Sequence, residues 1–132
     1  MSRRTTLVAG AAALWLLAAS GCGSDSSDPT AAVHGIWKTN FGYYLEFSED
    51  GTFGMGGSPD RASTAPLEWG TFTFDGETLR LTTTDDSEYC AGTLASYTVS
   101  PSEDGDFVAL TEIEDECGTR STDLERGIRK VP

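Results

Sequence analysis

From residue 35 onward, apolar and polar positions alternate almost one for one. Tyr43, Leu45 and Phe47 are interleaved with Tyr44, Glu46 and Ser48, Leu79 and Leu81 with Arg80 and Thr82, and Tyr97 and Val99 flank Thr98. A period of two sends successive side chains to opposite faces of a strand, so each segment has one apolar face to bury. The pattern predicts eight short strands, at 35–39, 43–48, 52–55, 67–74, 78–84, 93–99, 107–113 and 128–131. Only 119–125 is a helical candidate, so no long amphipathic helix can cover an open sheet. A meander of eight strands then hides its apolar face by closing on itself. The expected fold is all-β, an eight-stranded antiparallel up-and-down barrel with at most one short helix.

The connections sharpen this expectation. Asp50-Gly51, Asp75-Gly76 and Asp104-Gly105 are tight-hairpin dipeptides, and they join strands two to three, four to five and six to seven. The loops 56–66, 85–92 and 114–124 join three to four, five to six and seven to eight, and are longer. In an up-and-down barrel alternate connections lie at opposite ends. The tight turns and both ends of the domain therefore belong to one end, and the long loops, with the short 40–42 connection, to the other.

The first 21 residues do not follow the pattern. Arg3 and Arg4 precede an apolar and small-residue run from Leu7 to Ala19, and Ser20-Gly21-Cys22 comes next. That is the order of parts in a secretion signal, and as a helix the run spans only about 20 Å against a hydrocarbon core of about 30 Å. Ala19-Ser20-Gly21-Cys22 looks like the lipobox at which lipoprotein precursors are lipidated on the Cys and cut before it. Ser2-Arg3-Arg4 also resembles a twin-arginine export signal, with Thr6 where Phe is usual. The expected organisation is a signal peptide at 1–21, a flexible tether at 22–30 rich in Ser, Asp and Gly, and the barrel domain at 31–132. The expected location is the cell envelope, lipid-anchored, on the outer membrane where one exists, because Gly23 replaces the Asp that often retains lipoproteins on the inner membrane.

With Cys22 assigned to lipid, Cys90 and Cys117 are left as a pair in a compartment where disulfides persist, and both fall in long loops at one end. Without its leader the chain keeps 7 basic against 21 acidic residues, a net charge of −14. Such a charge repels nucleic acid and anionic membrane surfaces and favours cationic partners or metal ions. Asp85, Asp86, Glu88, Glu114 and Asp115 are weak candidates for Ca²⁺. They form no ordered ligand loop, and exposed charge is the commoner explanation.

Gly35-Ile36-Trp37, Asp50-Gly51-Thr52-Phe53, Gly70-Thr71-Phe72 and Leu79-Arg80-Leu81-Thr82, with Asp115-Glu116-Cys117 and Arg120, resemble the short lipocalin-like (calycin-type) domains of bacterial lipoproteins. The likeness runs from His34 to Val131. It implies that Trp37 sits at the closed end of the barrel with Arg126 or Arg129 packed over its indole. This chain is much shorter than full lipocalins and lacks their Thr-Asp-Tyr motif.

No catalytic residues are expected. His34 is the one histidine, placed at the tight-turn end, and the acidic runs give no defined pair for glycoside hydrolysis. The function expected is that of a non-enzymatic, membrane-anchored binding or interaction module, monomeric and without cofactor. One form is a carrier or sensor of a small apolar ligand held by Phe53, Met55, Phe72 and Tyr97, with Arg120 orienting an acidic group. The other is an inhibitor of a cationic, envelope-attacking hydrolase. For the first, the competing reading is that these side chains simply fill the barrel, as they can with eight strands.

Overall fold

The computed structural model describes residues 28–132. The expected leader, Cys22 and most of the tether lie outside them. A 3-10 turn at Pro29–Ala32 leads into strands β1 (Gly35–Lys38), β2 (Tyr44–Phe47), β3 (Thr52–Gly56), β4 (Glu68–Phe74), β5 (Thr78–Thr83), β6 (Leu94–Pro101), β7 (Phe107–Asp115) and β8 (Ile128–Lys130). Every strand pairs antiparallel with its sequence neighbours, and β8 returns to β1, closing the barrel. Helix α1 (Pro59–Thr64) interrupts the β3–β4 connection, and α2 (Gly118–Leu124) fills the β7–β8 connection where the sequence placed its helical candidate.

Two short helices are thus present where one at most was expected. α1 starts in a local signal, Ser58-Pro59: the Ser58 hydroxyl accepts from the Arg61 amide at 3.2 Å and proline occupies the first turn. It lies against the outer wall of the barrel. A Cβ at Gly54 would collide with the Ala62 carbonyl oxygen, so this close approach requires glycine.

The tight turns form as their chemistry dictates. The first oxygen of each Asp carboxylate accepts backbone amides just ahead of it: Asp50 from Thr52 at 3.0 Å, Asp75 from Glu77 and Thr78 at 2.9 and 2.7 Å, Asp104 from Asp106 at 3.0 Å. The following glycines take the positive φ each turn needs, +86°, +99° and +76°. Hydrogen bonding at these turns also holds the Asp50, Asp75 and Asp104 carboxyls below their usual pKa, because it favours the charged form.

Inward positions build one core containing Trp37, Leu45, Phe47, Phe53, Phe72, Leu79, Leu81, Tyr97, Val108 and Ile128, with Leu124 of α2 packed in from the loop end. The rings of Phe47 and Phe72 meet edge-on at 4.8 Å. The barrel is therefore filled over most of its length. Trp37 is buried, and its indole Nε1 donates to the Val33 carbonyl at 2.8 Å. The cation over its ring is Lys130, 4.7 Å from the centroid, and not Arg126 or Arg129. Arg129 stacks on Phe107 instead, 5.1 Å away, because alternation along the three-residue β8 sends consecutive side chains to opposite sides.

Strand β7 carries one irregularity. Ser96 faces Glu114 while the next residue, Tyr97, faces Glu112, so Ile113 is an extra residue in the strand. Ile113 is pushed into solvent, and the inside–outside phase reverses beyond it. Asp115 consequently pairs with inward-facing Ala95 and turns its carboxylate into the barrel.

Candidate functional site

At the long-loop end the barrel interior changes from apolar to ionic. Arg120, on α2, points inward and is 2 % exposed. Its Nη1 donates to Glu68 Oε2 at 2.6 Å and to Thr83 Oγ1 at 2.8 Å. Its Nη2 donates to Asp115 Oδ1 at 2.7 Å and to Thr93 Oγ1 at 3.2 Å, and Nε reaches both Asp115 oxygens. All five N–H groups of the guanidinium are engaged. Tyr97 also donates its phenol to Asp115 Oδ2, and the Cys117 amide donates to Oδ1 at 2.8 Å. Burial and the neighbouring Asp115 carboxylate push the Tyr97 phenol above its ordinary pKa, so it remains a donor. Burial works against the Arg120 charge, yet Asp115 and Glu68 outweigh it and the guanidinium stays protonated.

Above this network lies a cavity of about 110 Å³, to which all four connections at this end contribute. Phe41 and Tyr43 come from the β1–β2 turn, Met55 and Leu67 from the ends of β3 and the α1 loop, Tyr89 and Cys90 from the β5–β6 loop, and Cys117, Thr119, Arg120 and Asp123 from around α2. Phe41 and Tyr89 are 54 % and 46 % exposed, so the cavity meets solvent beside aromatic side chains. The Cys90–Cys117 disulfide, with its Cα atoms 5.5 Å apart, ties two of the loops together and forms part of the wall. A larger concavity of about 580 Å³, bounded by α1 and Trp69, lies outside the barrel and is open to solvent.

Asp123, one turn along α2 from Arg120, shares its inward face. Its Oδ1 accepts the Phe41 amide at 2.7 Å and its carbonyl accepts Asn40 Nδ2 at 2.6 Å, which fixes the β1–β2 turn. Its Oδ2 is buried and has no hydrogen-bond partner among the described residues, and the same holds for Glu68 Oε1. Burial is the main reason both carboxyls sit above their ordinary pKa: Arg120 and Thr83 oppose the rise at Glu68, the Phe41 amide and the nearby Thr39 hydroxyl at Asp123.

Opposite pH dependences arise from these two sets of carboxyls. A raised folded-state pKa stabilises the fold fully below the unfolded value, ordinarily 4.5 for Glu68 and 3.8 for Asp123, and that stabilisation is lost as pH rises through the raised values. The lowered pKa values of the turn aspartates contribute above 3.8 and are lost as pH falls through their folded values. The thermal midpoint should therefore rise as pH falls from neutrality toward the ordinary carboxylate range, and fall again as pH drops below 3.8. Calorimetry across that range checks it, and a midpoint that declines steadily from neutrality would contradict it.

Of the side chains singled out in the sequence, Met55 and Arg120 reach the cavity, and Phe53, Phe72 and Tyr97 are packed in the core beneath it. Arg120, with its donors engaged, has none left for an acidic ligand. The acidic loop residues do not converge: among the described residues no three His, Cys, Asp or Glu side chains are placed to hold a metal ion. Asp85, Asp86, Glu88 and Glu114 do not gather around the cavity, and Asp115 is consumed in the buried network. Sequence reading missed Glu68, Asp123, Phe41 and Tyr89. A signal existed for the first two, since Glu68 is in phase with Phe72 and Phe74, and Asp123 follows Arg120 at helical spacing. No protein-family model matches the chain, and no curated protein or solved structure is significantly similar to it.

Proposed function

We propose that this is a lipocalin-like lipoprotein of the cell envelope, anchored through lipid on Cys22, whose barrel binds a small, largely apolar ligand at the end facing away from the membrane without catalysing a reaction. The observation that carries the reading is the cavity under Phe41 and Tyr89, walled by the disulfide and open where all four loops meet. Its placement opposite the start of β1 and the end of β8 supports the orientation, because a tether joined at Asp28 enters the barrel at the tight-turn end. A thermal-shift screen of fatty acids, haem-like rings and small aromatic compounds tests it. A ligand present at 100 times its Kd should raise the midpoint by about 10 °C and perturb Phe41, Met55 and Tyr89 in NMR spectra. Binding that maps to Asp50, Asp75 and Asp104 would overturn the assignment of the site.

The anchor is tested separately. Cys22→Ala should leave an uncleaved precursor or release the protein from the membrane fraction, and normal maturation with retention would refute lipidation. The acidic Asp85, Asp86, Glu88, Glu114 and Glu116 favour a second reading at the same end, contact with a cationic hydrolase. Including such enzymes in the screen, with salt varied, separates the two readings.

A further inference from the structure

We infer that the ligand of this cavity is a small organic cation: an amine carrying one ring-sized apolar group, whose nitrogen donates to Asp123 Oδ2. This deepens the proposed function and rests on it for the cavity being a binding site.

Size sets the first limit. An apolar cavity of about 150 Å³ holds one benzene ring, so about 110 Å³ with an open mouth takes a single ring or a short branched chain and lets any remainder protrude. The wall chemistry suits such a body. Met55, Leu67 and the disulfide are apolar, and the exposed aromatic side chains of Phe41 and Tyr89 also line the cavity.

Charge sets the second limit. Asp123 lines the cavity, is 2 % exposed, and has one oxygen spent on the Phe41 amide and the other without a partner. A buried carboxylate oxygen left in that state is unfavourable, and a bound N–H⁺ relieves it. Arg120, the one cation lining the cavity among the described residues, is neutralised by Glu68 and Asp115 and has no free N–H. Of the three buried carboxyls at this end, Glu68 and Asp115 pair with the guanidinium and Asp123 does not. An anionic head group meets an unpaired carboxylate and a fully engaged arginine, and a neutral one gains a hydrogen bond to the carboxylate but no ion pair. The clamp on the β1–β2 turn uses Oδ1 and the Asp123 carbonyl, with the Thr39 hydroxyl of the same turn beside the carboxyl, and Oδ2 still makes no hydrogen bond among the described residues.

Benzylamine, benzyl alcohol and benzoate test the inference, because they share a ring and differ in the charge of the head group. Titrated into the purified protein near pH 7 with NMR detection, benzylamine should bind about tenfold or more tighter than benzyl alcohol, and benzoate more weakly than either. Asp123→Asn keeps an acceptor for the Phe41 amide, and it should abolish the preference for the amine, bringing benzylamine and benzyl alcohol to within about twofold of each other. Equal binding of amine and alcohol to the unmodified protein, or a preference that survives Asp123→Asn, overturns the inference and leaves the proposed ligand cavity standing. Failure of all three compounds to perturb Phe41, Met55 and Tyr89 overturns both. Should Asp123→Asn not fold, the three-compound series in the unmodified protein decides.

Discussion

Replacing Arg120 by methionine should cost about 3 to 5 kcal/mol of folding stability, the range for leaving a buried ionic partner uncompensated, out of a total of about 5 to 15 kcal/mol for a domain of this kind. Two carboxylates, Glu68 and Asp115, lose their counter-charge together, and the hydroxyls of Thr83 and Thr93 lose a donor. The loss reflects stranded charge and says little about the net worth of the intact network. Two controls isolate that cause. Adding Glu68→Gln and Asp115→Asn to Arg120→Met should recover much of the stability, and the single variant should suffer less as pH is lowered, because protonation of Glu68, whose pKa burial already raises, relieves part of the penalty. Urea unfolding measures all of these, and a cost below about 1 kcal/mol for Arg120→Met would mean that water reaches the network.

The second large effect is expected from the disulfide. Cys90 and Cys117 are 27 residues apart in sequence, and losing the cross-link restores roughly 3 kcal/mol of chain entropy to the unfolded state. For a domain of about 100 residues that corresponds to a fall in thermal midpoint of about 10 to 20 °C. Because both cysteines line the cavity, a double alanine variant should also lose ligand binding at temperatures where the barrel remains folded. Calorimetry with and without reductant measures the stability effect, and an unchanged midpoint would show that the two loops are held by other contacts.

The fold could be read from the chain because its rule is binary. A residue such as Leu81 or Tyr97 is in phase with its strand, and hairpin dipeptides announce the turns, so strands and their order follow from local chemistry. The site was harder to read because it depends on departures from that rule. Asp115 looked like a loop carboxylate because the sequence does not show the extra residue at Ile113 that reverses the phase of β7. Arg120 looked like a free cation because its partners lie 5, 27, 37 and 52 residues away, a convergence that only closure of the barrel creates. Glu68 carried a legible clue, an acid on the inward face of a strand, which means either misplacement or a buried partner. Lys130 over Trp37 was a matter of one position, settled by the parity of a three-residue strand.

That same strand sets when the molecule becomes a barrel. β8 touches β7 through two residue pairs and β1 through two more, and it is only three residues long. Until it docks, seven strands form a curved sheet whose outer strands, β1 and β7, both present unpaired backbone groups. The ring therefore cannot be completed before Ile128–Lys130 is in place. A folding molecule carries two open edges, each able to recruit a neighbour, until this one short strand seals both at once.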